Sequence, residues 1–305
     1  MSTEYIHFTT AQKEAARQTD LVALLQSQGE HLKRSGKEYV WRDGSEKVTV
    51  RGNLWFHQYE RIGGDAVDFV RRFYNMDFPQ AVNFLLGNNG GALPQAEPVK
   101  REPPKPFTLP PKNDNMRRVY AYLLNCRGID REVLSAFVHK GMIYESADYH
   151  NAVFVGYDEH GIARHAHKRG TGSESTYKGN AESCDPRYSF HWTGTDNALY
   201  LFEAPIDMLS FISLHKENWR SHSYAAACCI GDQVLFQMLK ANSNIDTVCL
   251  CMDNDAAGQA ANKRISDKLF IQGIKHEILV PEFKDWNEDL LCDEQEETEC
   301  QTLQL

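Results

Sequence analysis

The chain has 305 residues, a formal charge of −9, and 42% hydrophobic against 25% charged residues. That is the composition of a globular protein with room for two or three compact units. The acidic balance excludes indiscriminate nucleic-acid binding by the whole surface but leaves a local basic groove open. No run approaches the roughly 18 apolar residues of a membrane span, and the opening MSTEYIHFTTAQKEAARQTD lacks the apolar core and cleavage site of a secretory signal. A cytoplasmic location with no membrane partner is expected. Eight cysteines are present, none at CxxC spacing, which favours reduced, structural side chains over a disulfide framework.

In chain order, Asp20-Leu21-Val22-Ala23-Leu24-Leu25 reads as a helix with Asp20 at its N-cap. Strand-like runs follow at Glu38–Trp41, Lys47–Val50 and Asn53–His57, with Asp43-Gly44 and Arg51-Gly52 as turns. Asp77-Phe78-Pro79 opens a second helix. Residues 1–92 therefore predict a small α+β module. Seven prolines between Leu93 and Lys112 block helix and strand and predict a semi-rigid linker over 93–112.

Beyond the linker, Asn115–Leu124 and Asp130–Val138 predict helices separated by Gly128. Strands are predicted at Ala152–Tyr157 and Ala163–Lys168, so residues 113–196 form an α+β subdomain. From Ala198 onward short apolar runs alternate with helical segments, the pattern of a parallel sheet covered by helices. This α/β domain spans 197–291, and the acid-rich residues 292–305 read as a solvated tail.

Three acidic motifs fall at strand ends, where open α/β sheets bind ligands. Glu203 ends the run Leu199–Phe202, with Asp207 in the first turn of the next helix. Asp253 and Asp255 end the run Thr247–Met252; in an extended segment alternate residues point the same way, so both can share one ion. Asp285 follows the strand His276–Val280. Hard carboxylate oxygens of this kind suit Mg2+ or Mn2+.

A strand followed by Glu, and a later strand followed by Asp-x-Asp and glycine, resembles the TOPRIM domain shared by DnaG-type primases, topoisomerases and some nucleases. The resemblance implies a TOPRIM-type parallel sheet flanked by helices. It also implies Glu203 as general acid/base or metal neighbour, Asp253 and Asp255 as ion holders and catalytic residues, and Asp207 and Asp285 as supporting ligands. Where primases carry a further acid after the third-motif aspartate, this chain has Asn287.

Tyr122–Ile129 looks like the primase "YL..RGI" helix, which brings in Arg127. Arg164, His165, Lys168, Arg169 and Lys178 stand where that family places basic residues, and a cationic face for a phosphate backbone is expected from them. Zinc is not expected: His165 and His167 have no cysteine pair beside them. Gly63–Phe69 resembles the stretch after a primase zinc ribbon, yet no cysteine precedes Cys126. A ribbon-like module packed by Trp41, Trp55 and Phe56 in place of metal is expected. The layout also resembles short TOPRIM proteins of conjugative and integrative elements. These resemblances imply a metal-dependent, primase-like nucleotidyltransferase acting on single-stranded DNA and nucleotides, with replication or conjugation proteins as partners. A phosphodiester-cleaving TOPRIM nuclease and a non-catalytic DNA-binding accessory protein remain the alternatives.

Overall fold

A computed structural model of the protein describes residues 8–43, 46–60, 62–87, 105–173, 175–228 and 231–293. The chain divides into two compact units, Met1–Pro103 and Pro104–Leu305. Most of the Pro-rich segment, the Asp43-Gly44 turn beyond Asp43 and the acidic tail after Asp293 lie outside the described residues.

The first unit holds helices α1 (Thr10–Arg17) and α2 (Leu21–Ser27), a five-stranded antiparallel sheet in sequential order, and two more helices. Its strands are β1 (Leu32–Ser35), β2 (Glu38–Asp43), β3 (Glu46–Arg51), β4 (Leu54–His57) and β5 (Gly63–Gly64), followed by α3 (Ala66–Phe73) and α4 (Phe78–Leu85). Asp20 caps α2 through Ala23 N, and Asp65 and Asp77 close capping boxes on α3 and α4. Period-two alternation on β4 turns Trp55 and His57 inward and leaves Leu54 and Phe56 half-buried on the other face. The core between sheet and helices is therefore built by Trp41 and Trp55 with Phe69 and Phe73, whose ring centroids lie 4.7–6.1 Å apart. Phe56, expected in that core, is displaced from it by strand parity.

The second unit begins with α5 (Arg117–Ala121), which widens into a π-helical turn over Tyr122–Cys126, and α6 (Arg131–His139). An antiparallel sheet follows, in the order β6 (Ile143–Glu145), β7 (Ala152–Tyr157), β8 (Ala163–Arg169) and β9 (Lys178–Asn180). Val153, Val155 and Ala166 face Phe107 and Leu109, the described end of the proline-rich segment. The opposite face carries Ala152 and Phe154 into a larger core.

The second sheet has the order β10-β12-β11-β13-β14. Its strands are β10 (His191–Trp192), β11 (Ala198–Phe202), β12 (Ser223–Ala226), β13 (Thr247–Cys251) and β14 (Lys275–Ile278); the connecting helices are α7 (Pro205–Leu214), α8 (Gln233–Ala241) and α9 (Ala256–Ile271). All strand pairs are parallel except β10 with β12. Leu199, Leu201, Val248 and Leu250 bury one face under α8 and α9. Phe202, Cys249 and Cys251 bury the other, in a continuous core running from Val119 to Leu290. Residues 113–196 and 197–291 thus share one core, and β10 from the first segment extends the sheet of the second.

Glu145 shows how the first segment is held. Buried at the end of β6, it accepts hydrogen bonds from Arg118 N, Val119 N and Asn113 Nδ2, and its Oε1 lies 2.6 Å from His150 Nδ1. Burial alone raises its pKa, but the bonds from His150, Val119, Asn113 and Arg118 outweigh it and hold the group below its usual value. A lowered carboxylate contributes stability above its unfolded pKa that is lost as pH falls through the folded one. Glu145→Ala strands these buried donors and is expected to cost about 3 kcal/mol at neutral pH. Urea denaturation at pH 7 checks this, and the gap from wild type should shrink as the pH is lowered.

Candidate metal centre and nucleic-acid face

The acidic motifs meet because β11 and β13 are neighbours, with Phe202 registered on Cys251. The next residues deliver Glu203 and Asp253 at adjacent strand ends. The chain runs from β11 to β12 on one side and then crosses back to β13 on the other, so this is a switch point, where a crevice opens. The third motif is pinned to the second: Trp286 Nε1 donates to Cys251 O at 3.0 Å, and Asn254 N to Lys284 O at 2.8 Å.

Electrostatics show that the carboxylates feel one another. Burial first, then repulsion from Asp253, Asp285 and Glu203, holds Asp207 well above the usual carboxylate range. Burial, followed by Glu203, Asp285 and Asp255, pushes Asp253 up to about 7, with Lys178 pulling the other way. Glu203 is raised by burial, opposed by Lys178 and Lys284 and reinforced by Asp255 and Asp285.

Two features bear on a cation. Asp253 Oδ1 is buried without a hydrogen-bond partner, an acceptor left open for a positive ligand. Among the described residues, however, no group of three or more His, Cys, Asp or Glu side chains is arranged to hold a metal ion by itself. Mg2+ keeps several waters and is bound through one or two carboxylates and substrate phosphates. The donor set fits that kind of open site and does not form a closed cage.

Asp255 differs from its expected geometry. The strand ends at Cys251, and Asp255 is the N-cap of α9, its Oδ1 accepting from Ala257 N and Gly258 N at 2.9 Å each. Alternation along a strand is therefore not what orients it; the cap is, and Oδ2 takes no part in that cap. Asp285 likewise caps the helical residues 286–293, accepting from Asn287 N and Glu288 N. Gly258 is required by contact: a Cβ there would lie 1.9 Å from Asp253 O.

The expected cationic residues separate by strand parity. His167, Arg169, Lys178 and Asn180 share the face of β8 and β9 that bears Phe154 and Ala152 on β7, and Lys168 points to the opposite face with Val153. Lys178 is exposed and felt by Glu203 and Asp253, so it borders the acidic cluster. Arg169 and Arg127 both donate to Tyr122 Oη, at 3.2 and 2.9 Å. Arg164 is tied to Asp158 at 2.7 Å, and Lys168 lies over the Tyr177 ring at 5.7 Å. His165 is wholly buried, which corrects its expected place on the cationic face: a shielded imidazole cannot meet a phosphate. His167 is also buried, and desolvation pushes it down to about 4, with Asn180 opposing and Lys178 and Arg169 adding to the shift; it is neutral at pH 7.

Asn287 has a role that its sequence position did not reveal. Only 3% exposed, it accepts from Arg127 Nη1 at 3.0 Å and donates to Arg127 O and Ser210 Oγ. It fastens the start of the final helical segment to the end of the π-helical turn, and no local pattern announces a contact across so many residues. Asn287→Leu removes all three bonds and is expected to destabilise by about 1–3 kcal/mol, read by urea unfolding.

Comparison with known proteins adds the following. Residues 121–196 match a family model described as "Protein of unknown function (DUF3991)", and residues 200–290 match one described as "Toprim-like". An uncharacterized protein of Bacillus anthracis is 25% identical over 274 residues, covering 85% of this chain and 79% of that protein. Among solved structures, the zinc-binding and RNA polymerase domains of the Aquifex aeolicus primase align over 96% of this chain and 84% of that one, with 16% identity and a TM-score of 0.40. The primase fragment of the bacteriophage T7 primase-helicase aligns over 67% and 83%, with 20% identity and a TM-score of 0.45. No helix among the described residues is long and apolar enough to cross a membrane. With acidic residues at the ends of neighbouring parallel strands and a family match over 200–290, the second unit of this chain carries a TOPRIM-like domain.

Proposed function

We propose that the protein is a divalent-metal-dependent, primase-like nucleotidyltransferase that extends a primer on single-stranded DNA, in the replication or transfer of a mobile element or plasmid. The observation that carries this reading is the meeting of Glu203, Asp207, Asp253 and Asp285 around the carboxyl ends of β11 and β13, bordered by Lys178. A cleft that brings buried carboxylates beside a cation is built to hold metal and phosphate together.

Asp253 Oδ1 and the uncapped Oδ2 of Asp255 are the oxygens that would hold Mg2+ or Mn2+ or its waters, with Asp207 and Asp285 supporting. A bound ion would neutralise charge on the nucleotide phosphates. Lys178, Arg169 and Arg127 meet phosphate oxygens and fix the strands without reading sequence. A primer 3′-hydroxyl oxygen attacks the α-phosphorus as the bond to the pyrophosphate oxygen breaks. Glu203, its pKa raised by burial, takes the hydroxyl proton, and pyrophosphate leaves with the electron pair. Replication or conjugation proteins would supply the strand.

The test incubates the purified chain with single-stranded DNA, Mg2+ or Mn2+ and labelled nucleotides. Labelled primers that vanish in Asp253→Asn are expected. Shortened DNA would replace this reading with a nuclease, in which water takes the place of the 3′-hydroxyl. A gel shift without product would replace it with a binding factor.

A further inference from the structure

We infer that the protein forms a two-fold dimer in which β14 pairs antiparallel with β14 of a second copy, centred on His276. Among the described strands, β14 ends its sheet and pairs with β13 alone. Just past it, Leu279 N donates to Leu250 O at 2.9 Å, so odd-numbered residues turn their amides toward β13. Alternation turns the backbone groups of His276 and Ile278 outward, a row open to another strand.

Apolar surface gathers at the same place. Five of the nine large hydrophobic side chains exposed among the described residues fall between Phe270 and Phe283. Phe270 and Ile271, at the end of α9, are 79% and 82% exposed. Ile278 and Val280, at 47% and 52%, line an open groove beside α9. Apolar side chains scattered singly need no explanation, but a cluster marks an interaction surface.

The charges on the strand select what fits it. In an antiparallel pair that continues the sheet, opposed residues share a face, so a two-fold axis must centre on a residue. Centred on Lys275 it opposes lysine to lysine, and on Glu277 glutamate to glutamate. Centred on Ile278 it sets Glu277 against Leu279. Centred on His276 it sets the exposed Lys275 of each copy against the partner's Glu277, also exposed. His276 and the partner's His276 then exchange both backbone hydrogen bonds. The charged pairs fall in the flanking non-hydrogen-bonded positions, where side chains are closest. On the other face, toward α9, Ile278 opposes the partner's Ile274. The same register sets the turn after α9 across from the partner's Val280, and so brings Phe270 and Ile271 to the partner's open groove. A foreign strand has no such match built in; the self-complementary order Lys275-His276-Glu277 selects a second copy.

The test is sedimentation velocity of the full chain from about 1 to 100 μM. A reversible dimer is expected, weakened by salt because its charged pairs are exposed. Lys275→Glu sets glutamate against glutamate twice and should weaken the dimer at least about ten-fold. Glu277→Lys should do the same with lysines, and mixing the two variants should restore dimers, because each then meets its opposite charge. Wild type that stays monomeric at the highest concentration overturns the inference. So does Lys275→Glu that dimerises as tightly as wild type, or a mixture of the two folded variants that stays monomeric. Glu277 accepts from Cys249 Sγ at 3.0 Å; if Glu277→Lys fails to fold for that reason, wild type and Lys275→Glu still decide the matter.

Discussion

Asp253→Asn is expected to abolish metal-dependent activity and, at the same time, to stabilise the metal-free protein. Asp253 has its pKa raised from 3.8 to about 7, by burial first and then by Glu203, Asp285 and Asp255. A carboxyl whose folded pKa exceeds its unfolded one binds more protons in the native state, so stability falls as pH rises across that window. Metal-free protein should therefore lose stability between about pH 4 and 7 through this group. At pH 8, where the native carboxylate is charged, the neutral variant should be more stable by about 2 kcal/mol, allowing for solvent screening of a partly exposed group. The difference should vanish near pH 4. Thermal or urea unfolding in chelator across this range is the measurement. Asp253→Asn less stable than wild type at pH 8 would argue against a cluster under like-charge repulsion. The same repulsion makes a cation's binding pH-dependent: protons compete with metal, so Mn2+ affinity should rise by up to about ten-fold per pH unit below 7 and level off above it.

Gly258→Ala should damage both the fold and the site. The added Cβ would sit 1.9 Å from Asp253 O and 3.0 Å from Asp253 N, against backbone that a rotamer change cannot move. Either α9 shifts away from the strand end or Asp253 does. The overpacking cost is about 1–3 kcal/mol, and the displaced Asp253 should lose metal affinity by at least about ten-fold, because coordination tolerates little misplacement. Calorimetric Mn2+ titration with parallel unfolding curves separates the two effects. Wild-type affinity in Gly258→Ala would mean that the glycine only eases the turn.

The acidic edge was legible in the sequence because β13 is buried on both faces. Such a strand reads as an unbroken apolar run, Val248 to Met252, so the acids after it stand out at its end. Glu203 is legible because it follows the unbroken apolar run Leu199 to Phe202, although Tyr200 on β11 is only half-buried. The orientation of Asp255 was not, because it depends on where the strand stops: the chain leaves the sheet at Cys251 and uses Asp255 as a helix cap.

The basic face was only partly legible. Residue types alone suggest that arginine, lysine and histidine near one another share a surface. Strand parity instead puts Lys168 on the far face, and His165, although it shares the face of His167 and Arg169, is wholly buried there. The clip between Arg127 and Asn287 could not be found locally at all, since it joins two segments through the shared core. In the first unit the buried tryptophans are legible from strand spacing, while Phe56, expected to pack with them, lies half-buried on the other face of β4.

The central claim is that Asp253 and its neighbours form a divalent-cation site. Its most direct test is Mn2+ titration of the full chain at pH 8, followed by electron paramagnetic resonance of the free ion, in wild type and Asp253→Asn. One saturable site in wild type, weakened at least about ten-fold in the variant, is the predicted result. Equal Mn2+ affinity in the two proteins would contradict it.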